Sequence, residues 1–227
     1  RAGHHVTGID ISSKAIEAAR TALAAGPVES GFGSLDYQVL SLEDMKGTFD
    51  AVTFTGVIHH FPDPDQVLRQ ARELLVPGGL LVCLEPCHER WEDQDAAVVA
   101  LIRGLLAATG HWYEPQLVKS LGSDAGWQAY TDEVRTEYVT ERDPQERGQS
   151  PNDNACSGVQ ILESLKRHFS ELEYQDGVSF MYRVLGGLRG PDAVVHPIAD
   201  LLAGFDRYAV RRGFLHPNAY LWAGQKP

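Results

Sequence analysis

Short apolar runs alternate with amphipathic stretches over the first 86 residues. The runs are rich in β-branched residues, which is typical of strands, and the continuously apolar run at residues 80–84 indicates a strand covered on both faces. The strands predicted in this way are residues 6–11, 37–40, 51–55 and 80–84. Strands that alternate with helices predict an α/β fold with right-handed crossovers and a doubly wound, mostly parallel sheet.

Two predicted helices in this part of the chain carry start and stop signals. Ser12 or Ser13 can cap a helix that continues to Gly26, where a Gly-Pro pair stops it. Asp63 is the predicted N-cap of the second helix, with Pro64 at its first position. The Pro-Gly-Gly segment at residues 77–79 is predicted to end that helix.

After residue 86 the pattern becomes mainly helical. An apolar helix near residues 98–108, an aromatic loop and a charged stretch at 131–149 lead us to interpret residues 87–157 as an inserted helical cap. Residues 1–86 and 158–227 then form the core, and the cap is expected to recognise the substrate. The later core elements predicted are a helix at 157–169, a strand at 172–174 or 179–183, a helix at 193–212 and a strand at 219–223.

The aromatic residues of the predicted cap have two interpretations. They could form an apolar or sugar-stacking wall, but packing between the inserted helices is the favoured role. The residues concerned are Trp91, Trp112, Tyr113, Trp127 and Tyr130. A short polar cluster at residues 152–154 is interpreted as a turn.

Composition and charge narrow the class of protein. With 227 residues, 43% of them hydrophobic and 22% charged, the chain is typical of a globular protein with one core. A net charge of -11 argues against a nucleic-acid partner, because phosphate binding depends on Lys and Arg. A loose group of arginines near the C-terminus is interpreted as a solvated face, with an anion site as the alternative. Its members are Arg183, Arg189, Arg207, Arg211 and Arg212.

Cysteine content and hydropathy bear on the compartment. Three cysteines are too few for a disulfide framework, which favours a reducing compartment and hence the cytoplasm. The sequence contains no apolar run of about 20 residues and no signal-peptide pattern, so a membrane partner is not expected. The oligomeric state stays open, a homodimer included.

Asp10 is the first residue with candidate chemistry. It ends a predicted strand that leads into a helix, a position where an acid can accept both hydroxyls of a ribose diol. The alternative is that Asp10 simply caps the helix that follows.

Three segments together carry a resemblance to a known family. They are residues 3–12 (GHHVTGIDIS), residues 49–61 (FDAVTFTGVIHHF) and residues 74–80 (LLVPGGL). They resemble the second strand, the fourth strand and the following helix-turn-strand of class I S-adenosylmethionine-dependent methyltransferases. The resemblance is close over residues 1–86 and loose beyond, and it implies a Rossmann-like fold with S-adenosylmethionine as the cofactor.

The resemblance also implies roles for individual residues. Asp10 would hold the ribose and Ile11 would lie beside the adenine. Ser41, Leu42 and Glu43 occupy the adenine-contacting loop, although the family usually has Asp where Ser41 stands, so Glu43 or Asp44 would substitute. The floor beneath the methionine part would be formed by Thr55, Gly56 and Val57.

One departure from the family pattern concerns its G-x-G-x-G turn. That turn normally follows the first strand, and the sequence lacks it. The expectation from this departure is an N-terminal truncation, because the missing strand would otherwise lie in the middle of the sheet.

A histidine pair follows the predicted strand at residues 51–55. His59 or His60 could accept a hydroxyl proton near the transferred methyl group, although packing is the alternative role. Glu85 and His88, beyond the next strand, are the further candidates. No metal is predicted, because these histidines and Cys87 match no familiar ligand spacing.

The resulting prediction is methyl transfer from S-adenosylmethionine to a small-molecule acceptor. Such a transfer depends chiefly on orientation, which agrees with the lack of a strong catalytic motif. The expected reaction is O-methylation of a glycan or a secondary metabolite. A non-catalytic methyltransferase-like binding module is the rival hypothesis, and a nicotinamide-dependent reductase is a weaker one.

Overall fold

A computed structural model describes residues 3–26, 31, 33–137 and 154–227. The contacts along the chain divide it into two compact units, Arg1–Phe49 and Asp50–Pro227. Each unit is described by itself.

The first unit contains two strands and one helix. Strand β1 (His5–Asp10) pairs in parallel with β2 (Ser34–Val39), and α1 (Ser13–Ala25) connects them. Ser12 caps α1 by accepting a hydrogen bond of 3.2 Å from the backbone N–H of Ala15, and the helix ends at Gly26 as predicted. Only β2 differs appreciably from its prediction, because it begins three residues earlier, at Ser34.

A four-stranded sheet forms the centre of the second unit. Its strands are β3 (Phe49–Thr55), β4 (Leu75–Pro86), β5 (Ser170–Asp176) and β6 (Ala219–Gln225), in the order β3-β4-β6-β5. Strand β6 lies between β4 and β5 and runs antiparallel to both. The α/β class is thereby confirmed, with antiparallel pairing around the last strand.

The start of β4 corrects the predicted end of the preceding helix. Helix α2 (Pro64–Leu74), capped by Asp63, ends three residues before Pro77, and the Pro-Gly-Gly segment is part of the strand. The physical reason is pairing with the end of the chain, because Gly78 N–H donates to the Lys226 carbonyl at 3.2 Å. The expectation of a strand covered on both faces was also wrong, since Leu80 and Leu84 are 40% and 41% exposed.

Helix α6 (Gly158–His168) packs against α2. Asp65, in the first turn of α2, accepts hydrogen bonds from Ser164 Oγ at 2.6 Å and from Arg167 Nη2 at 2.7 Å. These bonds, led by that of Arg167, hold the pKa of Asp65 well below its usual value. The predicted helix at 157–169 is confirmed, with Ser157 as its N-cap.

The remaining helices build a second hydrophobic core within this unit. They are α3 (Asp93–Ala108), α4 (Leu117–Ser120), α5 (Asp124–Thr136), α7 (Met181–Leu185) and α8 (Asp192–Arg211). Trp91 and Trp112 belong to this core and Trp127 and Tyr130 pack against it, which confirms the packing role, whereas Tyr113 is 50% exposed. Residues 181–185 are helical, so 170–176 is the strand and the alternative at 179–183 was wrong.

Some predictions fall on residues that the structure does not describe. Helix α5 covers the start of the charged stretch, whereas residues 138–149, Asn152 and Asp153 lie outside the described residues. Asn154 is described and has a positive φ of 57°, typical of a turn. Among the described residues, each helix is too short or too polar to cross a bilayer.

Candidate functional site

In the first unit, five of the predicted site residues lie at one edge of the two-stranded sheet. Asp10 and Ile11 follow the carboxyl end of β1, and Ser41, Leu42 and Glu43 follow that of β2. The N–H of Leu40 donates to the Asp10 carbonyl at 3.1 Å, which joins the two strand ends. The parallel register therefore brings these five residues together, as the sequence predicted.

Asp10 is exposed and does not cap α1, because Ser12 occupies that position. Its Oδ1 atom accepts a hydrogen bond of 2.7 Å from the Ser12 N–H. This bond fixes the orientation of the carboxylate, while the described residues provide no hydrogen bond to Oδ2. Ile11 beside it is 80% exposed, an unusual position for an isoleucine.

The loop after β2 has its own internal hydrogen bonds. Ser41 Oγ donates to Asp44 Oδ2 at 2.8 Å and accepts from the Asp44 N–H at 3.2 Å. Ser41 and Asp44 are thus used to form the turn. Glu43 is exposed in the same turn, so it is the better placed of the two acids to replace the missing Asp.

In the second unit, Thr55, Gly56 and Val57 lie at the carboxyl end of β3. Gly56 has a φ of +60°, which a residue with a Cβ adopts only at a cost, and its N–H donates to the Leu84 carbonyl at 2.8 Å. The chain therefore turns sharply here and leads into a single 3-10 turn at Ile58–His60.

Glu85 organises this turn from the neighbouring strand. Its carboxylate is 1% exposed and accepts hydrogen bonds from the N–H groups of Val57 and Ile58, both at 3.0 Å. Oε2 lies 2.8 Å from Nδ1 of His59. A buried carboxylate at this position favours the proton on Nδ1, which leaves Nε2 as the acceptor of the ring.

The two predicted histidines differ in their surroundings. His59 is buried and lines a cavity of about 140 Å³, whereas His60 is half-buried and lies against His59 with ring centroids 4.1 Å apart. We call this the His59 cavity. Its other lining residues are Pro86, His88, Glu89, Asn154, Cys156, Ser157 and Gly158.

Sequence reasoning missed the contribution of residues 154–158 to this cavity. Cys156 Sγ donates to the Ile58 carbonyl at 3.6 Å and the Cys156 N–H donates to the His59 carbonyl at 3.3 Å. These partners are almost a hundred positions apart in the sequence, and no local pattern signals such a contact.

The cysteines near the His59 cavity are protonated at neutral pH. Burial, followed by the charge of Glu89, raises the pKa of Cys87 to about 12, and burial with Glu85 raises that of Cys156 to about 12. Neither thiol is therefore a ready nucleophile or metal ligand. In the part of the chain that the structure describes, no three His, Cys, Asp or Glu side chains are grouped for metal binding.

His88 is held neutral by its surroundings. Burial, and then the positive charge of Arg183, lower the pKa of His88 to about 4. The amide orientation of Asn218 that satisfies both its O and its N places Nδ2 2.7 Å from His88 Nδ1. The same network corrects the interpretation of Arg183 as part of a solvated face, because Arg183 is only 3% exposed and its Nε lies 3.2 Å from the Asn218 oxygen. The other arginines of that group, Arg189, Arg207, Arg211 and Arg212, are exposed as predicted.

Comparison with known proteins shows which proteins the chain resembles. Residues 1–83 match the family described as methyltransferase domain. The chain also superposes on two S-adenosylmethionine-dependent methyltransferases. For the protein from Methanosarcina mazei the TM-score is 0.53 at 16% identity, covering 99% of this chain and 82% of that one. For the protein from Mesorhizobium loti the TM-score is 0.50 at 16% identity, covering 98% of this chain and 80% of that one. Residues 1–83 therefore resemble a methyltransferase domain, and the superpositions show that the chain shares the fold of these methyltransferases.

Curated relatives have a higher sequence identity than the superposed structures, but they match a shorter part of the chain. The ubiquinone biosynthesis O-methyltransferase of Chromobacterium violaceum is 40% identical over 81 residues, 34% of this chain and 33% of that protein. The enzyme of the same name from Xanthomonas axonopodis pv. citri is 40% identical over 85 residues, 36% and 34% of the two chains. The match thus spans about a third of the curated relatives.

Proposed function

We propose that this protein transfers a methyl group from S-adenosylmethionine to an oxygen atom of a small molecule. The match of residues 1–83 to the methyltransferase domain supports the donor, and the names of the curated relatives support oxygen as the acceptor atom. A glycan or a secondary metabolite is the acceptor class that the sequence favours.

The residues proposed to hold the donor lie at strand ends in each unit. In the first unit they are Asp10, Ile11, Ser41, Leu42 and Glu43. The observation that carries the proposal is the Asp10 carboxylate, fixed through Oδ1 and with Oδ2 available for a ribose hydroxyl, next to the exposed apolar side chain of Ile11. These two side chains fit a sugar diol and a purine.

In the second unit, Thr55, Gly56 and Val57 are the residues proposed to lie along the methionine part. The positive φ of Gly56 supports this assignment, because a backbone without a side chain allows a close approach. The sulfonium supplies the methyl group when the donor is bound.

His59 is the proposed general base. Its Nδ1 is oriented by Glu85, so Nε2 can accept the hydroxyl proton of the acceptor within the His59 cavity. His60, the other candidate, would act through its contact with the His59 ring. Positioning supplies most of the rate in such displacements, so the contribution of the base is expected to be modest.

The cap, residues 87–157, is proposed to recognise the acceptor. His88 and Glu89, at the start of the cap, line the His59 cavity. Residues at the other end of the cap line it as well, which supports that role. The net charge of -11 supports a partner other than nucleic acid, and the three reduced, buried cysteines support a cytoplasmic location. Membrane association is not part of the proposal, and a homodimer is one of the assemblies that it allows.

Isothermal titration with S-adenosylmethionine tests the proposal on the protein expressed from its complete coding sequence. We expect binding, and we expect Asp10→Ala to weaken it about tenfold or more through loss of a charge-assisted hydrogen bond. Asp36→Ala, an exposed acid within β2, is the matched control and should bind as the unchanged protein does.

Two results would count against the proposal. Absence of binding would support the rival hypothesis of a non-catalytic module. Equal affinity of the Asp10→Ala and Asp36→Ala proteins would remove Asp10 from the donor site.

A further inference from the structure

Helix α8 (Asp192–Arg211) carries a row of exposed apolar side chains along its outer side. Leu201 is 72%, Tyr208 48%, Phe205 43% and Val194 38% exposed. Their spacings of seven, four and three residues place them in one stripe, which we call the α8 stripe. At a rise of 1.5 Å per residue, the stripe is about 21 Å long. A contiguous apolar surface of this kind marks an interaction site more often than a surface left to solvent.

The stripe continues beyond the end of the helix. The ring of Phe214 lies edge-on to the ring of Tyr208 with centroids 5.9 Å apart, and Phe214 is itself 55% exposed. Aromatic side chains are among the residues most enriched at protein interfaces. The C-terminal end of the stripe is therefore an exposed aromatic pair.

The inner side of α8 fixes the orientation of the helix. Ala209 belongs to the helical core, and Ile198 and Leu202 pack against it. The buried carboxylate of Asp206 accepts hydrogen bonds from three backbone N–H groups. Rotation of the helix would break these bonds and expose the inner side chains. The helix therefore cannot bury the stripe by turning inward.

Charged residues of opposite sign lie beside the stripe in the two halves of the helix. Asp200 is in the N-terminal half, and Arg207 and Arg211 are in the C-terminal half. Asp200 and Arg211 are eleven positions apart, close to three full turns, so both lie on the same flank of the stripe. All three side chains are exposed, and none of them has an ion-pair partner among the described residues.

This distribution of charge is complementary to the same surface on a second copy of the chain. Identical surfaces face each other in a two-fold dimer, so such a surface must complement itself. Two copies of α8 packed in antiparallel directions bring Asp200 of one copy to Arg211 of the other, and the symmetry forms this pair twice. Parallel packing would instead oppose like charges. Antiparallel packing also brings the positive end of each helix dipole to the negative end of the other.

The register that pairs these charges also pairs the apolar side chains. Leu201 and Tyr208 lie four and three positions from Phe205, and Asp200 and Arg211 lie five and six positions from it. If Phe205 lies at the two-fold axis, Leu201 of each copy therefore packs beside Tyr208 of the other. One crossing point aligns the apolar pair and the charged pair.

We propose that α8 is a dimerisation surface, on which the α8 stripes of two copies pack antiparallel around a two-fold axis at Phe205. An anionic membrane is a less suitable occupant, because Asp200 beside the stripe and the net charge of -11 oppose its approach. A single helix from each copy forms a small interface, so we expect a reversible dimer.

Sedimentation velocity over a range of protein concentrations tests the proposal on the protein expressed from its complete coding sequence. We expect a reversible equilibrium between monomer and dimer. Asp200→Arg and Arg211→Asp should each weaken dimerisation about tenfold or more, because like charges then oppose each other twice in the symmetric dimer. Circular dichroism melts of each variant show whether the fold is kept.

A mixture of these two variants is the discriminating measurement. At positions 200 and 211 one protein then carries only positive charges and the other only negative ones, so a mixed dimer regains both ion pairs. We expect the mixture to associate more tightly than either variant alone and about as tightly as the unchanged protein. A dimer formed through another surface would not show this recovery.

Leu201→Ser tests the apolar part of the interface. It should weaken dimerisation about tenfold or more, since it removes a central apolar side chain from both copies. Leu105→Ser is the matched control, because Leu105 is a leucine on α3 that is 58% exposed, and this variant should dimerise as the unchanged protein does.

Four results would overturn the proposal. They are a protein that stays monomeric at all concentrations, equal effects of the two serine variants, charge variants that dimerise like the unchanged protein, and a mixture that associates no better than its components. Flotation with anionic vesicles is measured in parallel. Vesicle binding by the monomer that Leu201→Ser abolishes would assign the α8 stripe to a membrane and would also overturn the proposal.

Discussion

The Nδ1 atom of His59 lies 2.8 Å from Oε2 of Glu85, a carboxylate that is 1% exposed. The same carboxylate accepts hydrogen bonds from the N–H groups of Val57 and Ile58. One buried acid therefore fixes both the backbone before His59 and the tautomer of its ring, so the turn and the candidate base depend on a single side chain.

Replacing Glu85 by Gln should separate these two roles. The amide keeps the shape and one acceptor oxygen but loses the charge, so we expect a loss of about 2 kcal/mol in the free energy of unfolding. The proton should also redistribute between the two nitrogens of His59, which 15N chemical shifts of the imidazole report.

Glu163→Gln is the matched control for that variant, because Glu163 is an exposed acid on α6. It should leave both the stability and the His59 shifts unchanged. Unaltered imidazole shifts in Glu85→Gln would show that the carboxylate does not set the tautomer.

Two Gly→Ala substitutions should have opposite effects on stability. Gly56 has a φ of +60°, so Ala there should destabilise the protein by about 1 kcal/mol. Gly204 lies within α8, where an added methyl group would meet only open space, and Ala there should stabilise by about 0.5–1 kcal/mol. Denaturant unfolding measures both, and changes of the same sign would contradict the prediction.

His88 should make the stability depend on pH. Burial and Arg183 lower the pKa of His88 to about 4 from 6.5, so the unfolded chain binds a proton more readily than the folded protein in that window. Stability should therefore fall as the pH is lowered from about 6.5 to 4, by on the order of 3 kcal/mol in total.

A His88→Gln variant tests this dependence, with the exposed His196→Gln as the control for removing an imidazole. The free energy of unfolding is measured between pH 4 and pH 7. The curve of His88→Gln should be flatter than that of the control, and parallel curves would show that His88 does not carry the effect.

Asp206 should be important for the stability of the helical core. Its carboxylate is fully buried and accepts from the N–H groups of Ser179, Phe180 and Met181 at 2.7, 2.8 and 2.9 Å. Asp206→Ala leaves these donors without an acceptor, and we expect a loss of about 2–4 kcal/mol. Asp200→Ala, on the exposed face of the same helix, should cost less than about 0.5 kcal/mol.

Helix caps could be predicted from local sequence signals, whereas features that depend on contacts between distant residues could not. The caps predicted from the sequence were Ser12 or Ser13 and Asp63, and Ser12 and Asp63 occupy those positions, because a cap depends on residues within one turn. The burial of Arg183 could not be predicted, because its partner Asn218 is distant in the sequence and has no motif. The helix end at Leu74 was missed for a similar reason, since pairing of residues 78–79 with Lys226 extends the strand.

The same distinction between local patterns and long-range contacts applies to the candidate site. The parallel pairing that brings Asp10 and Glu43 to one edge follows from the βαβ pattern. The contribution of Cys156 to the His59 cavity depends on the packing of α6, and the sequence carries no local sign of it.

The position of β6 between β4 and β5 has a consequence for how the chain acquires its structure. Leu80 pairs with Gln225, so the two halves of this sheet cannot join until residues 219–225 have been synthesised. Contacts across so long a loop are slow to form, because its closure costs entropy before the pairing repays it. On the ribosome, the edges of β4 and β5 that pair with β6 would stay unpaired until β6 is available. Chaperone dependence is therefore expected to be greatest just before β6 emerges.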